Sequence, residues 1–303
     1  LSTVYLGTSE FAAAVLERLA QSAAHRPALV ITRPDRPAGR GRRLSPPPVA
    51  EAARRLGLAL EQPAKINDPS VGGLIEAAVD GGHPTLVVCA FGALITDPLL
   101  SDYEIINVHP SLLPRWRGAA PLERAIMAGD EQTGVSIMRL TAGLDSGPVC
   151  LQAPAPIGAE DDYGSLAARL QEIAGELLLR ALEQQLPYVE QAQDGITYAE
   201  KITGADRLLD PRRPAVELER VVRALHPHIG ARLALGEEQS LGVLRARLSA
   251  EPAPAVGTLA SAGGSLLLGC QPGALELLEV QPPGGRPMSA ADYLRGHGAA
   301  LRL

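Results

Sequence analysis

Over the first half of the chain, short unbroken apolar runs alternate with stretches of helical period. Val4–Leu6 reads as a buried strand, and Glu10–Ala20 as a helix with Phe11, Val15 and Leu19 four apart on one face. Ala28–Thr32 is the next strand. The polar stretch Arg33–Leu44 follows as a long loop, and a helix opens at Pro47–Pro48, where proline suits the first turn. Asn67-Asp68-Pro69 marks another helix start. Leu86–Ala90 is a central strand, and Ile105–Val108 a further strand that ends directly in polar residues. A short helix at Leu122–Met127 and a strand at Val135–Leu140 follow. Ser165–Leu186 is a long amphipathic helix carrying Leu166, Leu170, Ile173 and Leu177 on one stripe. This alternation predicts a parallel α/β sheet.

The rhythm then changes. Gln191–Gly204 is a connection, and Leu218, Val221, Val222 and Leu225 mark one more helix. Beyond Arg232 come short apolar strands between Gly and Pro: Leu241–Leu248, Thr258–Leu259, Leu266–Leu268 and Leu275–Val280. That is the pattern of a small β-barrel or sandwich. A boundary near residue 205 therefore separates a domain spanning 1–204 from one spanning 205–303.

Composition agrees with two folded domains. The 303 residues are 46% apolar and 20% charged, enough for a core and unlike a disordered polymer. No apolar run approaches a membrane span, and no basic segment precedes an apolar run at the start, so no secretory signal is expected. Cys89, Cys150 and Cys270 are far apart with no CxxC pair, which predicts packed thiols in a reducing cytoplasm. The net charge of −6 excludes a protein that coats nucleic acid non-specifically. It is uneven, however: 206–303 carries 11 Arg against 10 Asp and Glu, whereas Arg33–Arg43 holds five Arg against one Asp.

Three constellations can carry chemistry. The first is Asn107-Val108-His109-Pro110-Ser111-Leu112-Leu113-Pro114-Arg115-Trp116-Arg117-Gly118, at the carboxyl end of a strand, where ligands bind open α/β sheets. Asn107 and His109 are two apart on extended chain and point the same way. An amide donor and an imidazole aimed at one point suit a developing oxyanion. The blander reading is a polar strand end; the dense Pro-rich turn and the only Trp of the chain weigh against it. The second is Gly143-Leu144-Asp145-Ser146-Gly147. A carboxylate beside an imidazole fixes its tautomer and favours its charged form, although Asp between glycines is also ordinary turn chemistry. The third is the basic stretch 33–43, which either contacts phosphates or is a solvated loop. So long a structureless segment inside a domain favours the functional reading. Other features carry less: Gly7-Thr8-Ser9-Glu10-Phe11 is not a dinucleotide fingerprint, and His226 and His228 lack a third metal ligand.

Taken together, these motifs resemble the folate-dependent formyltransferases. Asn107–Pro114 followed by Gly143–Gly147 is similar to their signature. Gly7–Ala12, Pro34–Gly41, Arg115–Pro121 and Thr197–Ile202 resemble the branch acting on methionyl-tRNA. The resemblance covers nearly the whole chain and loosens beyond about residue 240. It implies a Rossmann-like formyltransferase domain joined to an OB-fold-like barrel that binds tRNA. It also implies 10-formyltetrahydrofolate as donor, the α-amine of initiator methionyl-tRNA as acceptor, and no metal. By the resemblance Asn107, His109 and Asp145 are catalytic. Cys89, Phe91, Gly92, Leu94, Ser111, Leu112, Leu113 and Pro114 bind folate, with a cis Leu113–Pro114 bond. Arg36, Arg40, Arg42 and Arg43 meet the tRNA acceptor end. A cytoplasmic monomer without membrane contact is expected. The alternatives are a formyltransferase for a small amine, a hydrolase releasing formate, and a non-catalytic RNA-binding module, which would have no use for an aligned donor–imidazole–carboxylate set. One departure stands out: His226-Pro227-His228-Ile229-Gly230-Ala231 replaces a stretch in which many members carry an aromatic residue.

Overall fold

A computed structural model describes residues 2–38, 43–79, 82–184, 186–236 and 239–297. Its elements begin β1 (Thr3–Gly7), α1 (Glu10–Ala20), β2 (Leu29–Ile31), β3 (Arg36–Ala38), β4 (Arg43–Ser45), α2 (Pro48–Arg55), β5 (Leu60–Glu61) and α3 (Ser70–Ala78). They continue with β6 (Thr85–Cys89), α4 (Leu99–Asp102), β7 (Ile105–His109), β8 (Arg117–Gly118), α5 (Pro121–Ala128), β9 (Gln132–Arg139), β10 (Val149–Pro156), α6 (Tyr163–Gln184) and β11 (Tyr198–Ala199). The last are α7 (Ala215–Leu225), β12 (Ala231–Ala234), β13 (Ser240–Leu248), β14 (Leu259–Ala262), β15 (Ser265–Gly269), β16 (Ala274–Gln281), β17 (Met288–Ser289) and α8 (Ala290–His297). Among the described residues no helix is long and apolar enough to cross a membrane.

The chain forms two compact units: Leu1–Pro121, Gln132–Pro156 and Ala167–Ala199 make the first, and Leu122–Glu131, Ile157–Leu166 and Glu200–Leu303 the second. The division is discontinuous. Periodicity, which suggests one cut near residue 205, reports that a face is buried but not which partner buries it.

The first unit is built on a seven-stranded sheet of order β10-β9-β7-β6-β1-β2-β5. The pairs among β7, β6, β1, β2 and β5 are parallel, whereas β9 runs antiparallel to β7 and β10 antiparallel to β9. Chain order reverses between β1 and β6, so a crevice is expected outside the carboxyl ends of the central strands. Alternate residues share a face. Val4, Leu6, Leu86 and Val88 lie in one cluster with Val71 and Ile75 of α3. Buried Tyr5 belongs to the opposite set, and its hydroxyl donates to the Ala12 carbonyl of α1 at 2.6 Å. α1 starts where Ser9 Oγ accepts from the Ala12 N–H, and α2 starts on Pro48.

One expectation changes. Residues 33–44 are not structureless: Arg36–Ala38 pairs antiparallel with Arg43–Ser45, a ladder too short for periodicity to reveal. β10 carries Pro154 and Pro156, which its edge position tolerates, since one side of the strand needs no ladder hydrogen bonds.

The second unit carries an antiparallel sheet of order β12-β13-β16-β15-β14, with β17 beside β16. Leu218, Val222 and Leu225 of α7 and Tyr293 of α8 share its core with Leu241, Val243, Leu266, Leu268, Leu275 and Leu277. The outermost strands β12 and β14 are not paired with each other among the described residues, as in a partly open barrel.

Leu86 is fully buried at the centre of the first unit's sheet. Leu86→Ala should therefore lower unfolding free energy by about 2–5 kcal/mol, read from the midpoint shift in urea at unchanged slope.

Candidate active site

Strand β7 delivers Asn107 and His109 to one face. Asn107 is paired in register with Val88 on β6, and His109 with Ser136 on β9. Both side chains are buried, as the alternation predicts. Asp145, in the connection between β9 and β10, meets them: Asn107 Nδ2 donates to Asp145 Oδ1 at 3.3 Å, and His109 Nδ1 lies 3.6 Å from Asp145 Oδ2. The structure thus brings together all three residues expected to be catalytic, although 38 positions separate Asn107 from Asp145.

Backbone groups complete the arrangement. His109 Nε2 lies 2.8 Å from the Trp116 carbonyl oxygen. A carbonyl only accepts, so Nε2 carries a proton and Nδ1 is the nitrogen facing Asp145. The Gly118 N–H donates to Asp145 Oδ2 at 2.8 Å. Trp116 and Asp145 sit at φ 63° and 43°, in the left-handed region, an unfavourable setting for residues with a Cβ and one that clusters at functional sites. Gly118 has φ 123°, and a Cβ there would lie 2.7 Å from the Ala199 oxygen, so glycine is required.

A third stretch backs these two turns. Gln191 Nε2 donates to the carbonyls of Asp145 and Gly147, both at 2.8 Å. Arg117 grips Gln191 Oε1 through Nε and Nη2 at 3.0 and 2.7 Å. Thr197 accepts the Trp116 N–H on Oγ1 and the Arg117 N–H on its carbonyl. Arg117 and Gln191 are both buried. Sequence reading missed these partners. Backbone donors and acceptors leave no residue-type signal, and Gln191 lies in a polar connection that carries no periodicity.

The residues expected to bind folate divide. Cys89 and Phe91 are buried residues, 0% and 3% exposed, so neither side chain presents a surface to a ligand. Ser111 is buried and committed, its hydroxyl donating to the Arg115 carbonyl. Leu113 uses its N–H on Ser136 Oγ and its carbonyl on Gln152 Nε2. These groups shape the turn, in which the Leu113–Pro114 bond is cis. Gly92 and Leu94 are exposed, with Leu112 and Pro114 half-buried. Leu94 is 70% and Leu144, beside Asp145, 58% exposed, so apolar surface is left open on two loops of this unit. Among the described residues no cluster of His, Cys, Asp or Glu could hold a metal ion.

Of the basic residues expected to meet RNA, Arg36 and Arg43 are exposed on the β3–β4 ladder. Arg40 and Arg42 lie outside the described residues.

A mostly parallel sheet with Asn107 and His109 at one strand end and Asp145 against them forms an α/β site, and sequence comparison gives its class. Residues 2–182 match the family model described as Formyl transferase, and residues 201–298 match Formyl transferase, C-terminal domain. The chain belongs to the formyl transferase family. It is 45% identical over 301 residues to methionyl-tRNA formyltransferase of Halorhodospira halophila, covering 97% of this chain and 95% of that one. It is 40% identical over 304 residues to the enzyme of the same name from Dechloromonas aromatica, covering 99% and 97%. Among solved structures, methionyl-tRNA formyltransferase from Clostridium thermocellum superposes with a TM-score of 0.60 at 12% identity, over 83% of this chain and 96% of that one. A variant of HypX from Aquifex aeolicus superposes with a TM-score of 0.67 at 16% identity, over 100% of this chain and 48% of that one. At such identities the superpositions speak for the fold.

Burial pushes the Cys89 thiol up to about 12. At pH 8 only about one thiol in ten thousand would be ionised. Iodoacetamide should therefore leave Cys89 unmodified in the folded chain and alkylate it after urea unfolding, as read by peptide mass spectrometry. Labelling of the folded chain would contradict its placement in the core.

Proposed function

We propose that this chain transfers the formyl group of 10-formyltetrahydrofolate to the α-amino group of initiator methionyl-tRNA, giving formylmethionyl-tRNA for translation initiation. The convergence of Asn107, His109 and Asp145 in a chain matched by both family models carries this reading. Full-length identity of 45% to an enzyme named for that reaction supports it. Neither a formate-releasing hydrolase nor a small-amine transferase gains a specific observation. The domain spanning 205–303 serves tRNA binding, and the protein works as a cytoplasmic monomer without membrane contact.

The bound folate supplies an activated formyl group on nitrogen; the protein's task is to orient the amine and manage charge and protons. A free α-amine titrates at about 7.7–8.0, so a useful fraction is neutral and can attack directly. No covalent enzyme intermediate is needed. Asn107 Nδ2 stabilises the oxygen that gains negative charge as the amine adds. His109 donates from Nε2, exchanging the neutral Trp116 carbonyl for an acceptor of greater charge. Asp145 balances the imidazolium across 3.6 Å and helps move the proton from the attacking to the leaving nitrogen. Ser111, Leu112, Leu113 and Pro114, with the backbone of Cys89, Phe91, Gly92 and Leu94, form the folate side. Arg36, Arg40, Arg42 and Arg43 meet phosphates of the acceptor end.

Incubation with 10-formyltetrahydrofolate and charged initiator tRNA should place a formyl group on the amine of the aminoacyl-tRNA. Release of free formate without acceptor would instead favour the hydrolase. In single-turnover assays His109→Ala and Asp145→Asn should each slow formylation at least about 100-fold, the scale of one lost oxyanion donor; near-normal rates would remove the assignment.

Arg36→Ala with Arg43→Ala should weaken tRNA use without changing folate binding. The slope of log affinity against log salt should become shallower by about 0.7–0.9 per phosphate contact removed. An unchanged slope would exclude phosphate contact at these positions.

A further inference from the structure

The buried Arg117–Gln191 pair has a feature that packing alone does not require. Arg117 is 7% exposed and, among the described residues, is paired with no carboxylate. Its fork closes instead on one neutral amide oxygen. A glutamate of the same length would accept the same fork and neutralise the charge, which is the usual arrangement for a buried guanidinium. Only glutamine can accept from Arg117 at one end and donate two N–H groups at the other. Those two donors go to the carbonyls of Asp145 and Gly147, so they hold the turn from the left-handed Asp145 residue onward. The same stretch of chain, through Thr197, holds Trp116 and Arg117. Trp116 supplies the carbonyl that His109 touches.

We infer that Gln191, oriented by Arg117, is a positioning residue for the formyl transfer. Its two amide hydrogens pin the Asp145 turn so that the carboxylate faces His109 and Asn107, and the capacity to donate both is the functional property. The inference rests on the reading of the site as a formyltransferase centre. Placement of a reacting group matters steeply, since a 1 Å displacement can cost about 100-fold in rate.

The discriminating variant is Gln191→Glu. It keeps shape and the Arg117 contact, supplies the missing counter-charge, and turns both donors into an acceptor facing two carbonyls. If Gln191 only satisfies Arg117, this variant should match wild type in kcat and equal or exceed it in Tm. If Gln191 positions Asp145, kcat should fall at least tenfold, with KM for 10-formyltetrahydrofolate and for methionyl-tRNA each within twofold, and with Tm no lower. Should the glutamate variant fail to fold, Gln191→Met removes both donors without adding charge and carries the same expectation for kcat and KM. A rate within twofold of wild type, or a change confined to KM, overturns the inference. Wild-type protein assayed alongside separates the two claims. Failure of wild type to formylate the tRNA rejects the functional reading, whereas active wild type with an equally active Gln191→Glu rejects only the positioning role.

Discussion

The site of the first unit depends on one carboxylate and the turn that carries it. Asp145 accepts from Asn107 on β7 and from the Gly118 N–H of the turn after it, and faces His109. Its own carbonyl is held from behind by Gln191. Three stretches, β7, the segment that ends in Gly118 and the connection at Gln191, are thereby tied to a single residue. A half-exposed carboxylate on a free hairpin loop would sample many orientations. Here each oxygen has a donor and the backbone has another, so the loop entropy is met locally by charge-assisted hydrogen bonds.

Such a constraint requires backbone conformations that ordinary residues resist. The three described non-glycine residues at positive φ are Ala90, Trp116 and Asp145. All three lie just beyond β6, in the turn after β7, or in the connection after β9, the segments that carry the motif residues. Strain of this kind persists only where the surroundings over-determine it, and the hydrogen bonds to Trp116 and Asp145 are that over-determination. Gly147 completes the turn because a Cβ there would run into the Arg139 carbonyl. The Gly143–Gly147 motif thus encodes a conformation as well as a carboxylate.

This explains what could and could not be read from the residues alone. Strands with two buried faces, such as Val4–Leu6 and Leu86–Cys89, announce themselves as apolar runs, and the helix Glu10–Ala20 by its spacing. Asn107 and His109 were legible because period two puts them on one face whatever the fold. Asp145 could be proposed from its glycine frame and the family resemblance, but its contact with β7 depends on how a hairpin connection lies against the sheet. Gln191 and the Trp116 carbonyl were illegible for a deeper reason. The first acts through an amide that any surface glutamine also has, and the second through an atom common to every residue. The basic stretch shows the opposite error: polarity suggested no structure where a three-residue ladder forms, because exposed strands such as Arg43–Ser45 need no apolar alternation.

The His226–Ala231 departure gains a physical content within the second unit. Two histidines spaced i, i+2 invite a metal reading, yet each is occupied separately. His226 Nδ1 lies 2.9 Å from Asp162 Oδ2, and His228 Nε2 lies 3.0 Å from Glu123 Oε1. His228 also stacks on Tyr163 with ring centroids 3.6 Å apart. Burial alone would raise the Asp162 carboxyl, but the Ser165 N–H and His226 outweigh it and hold it below the ordinary range. The divergent carboxylate partners point to fastening. Glu123 and Asp162 belong to the two early segments, 122–131 and 157–166, that pack with the second unit. Arg124 adds a third tie to Asp206 at 2.7 Å. The imidazoles hold segments 122–131 and 157–166 by directional contacts with specific carboxylates, within the same unit.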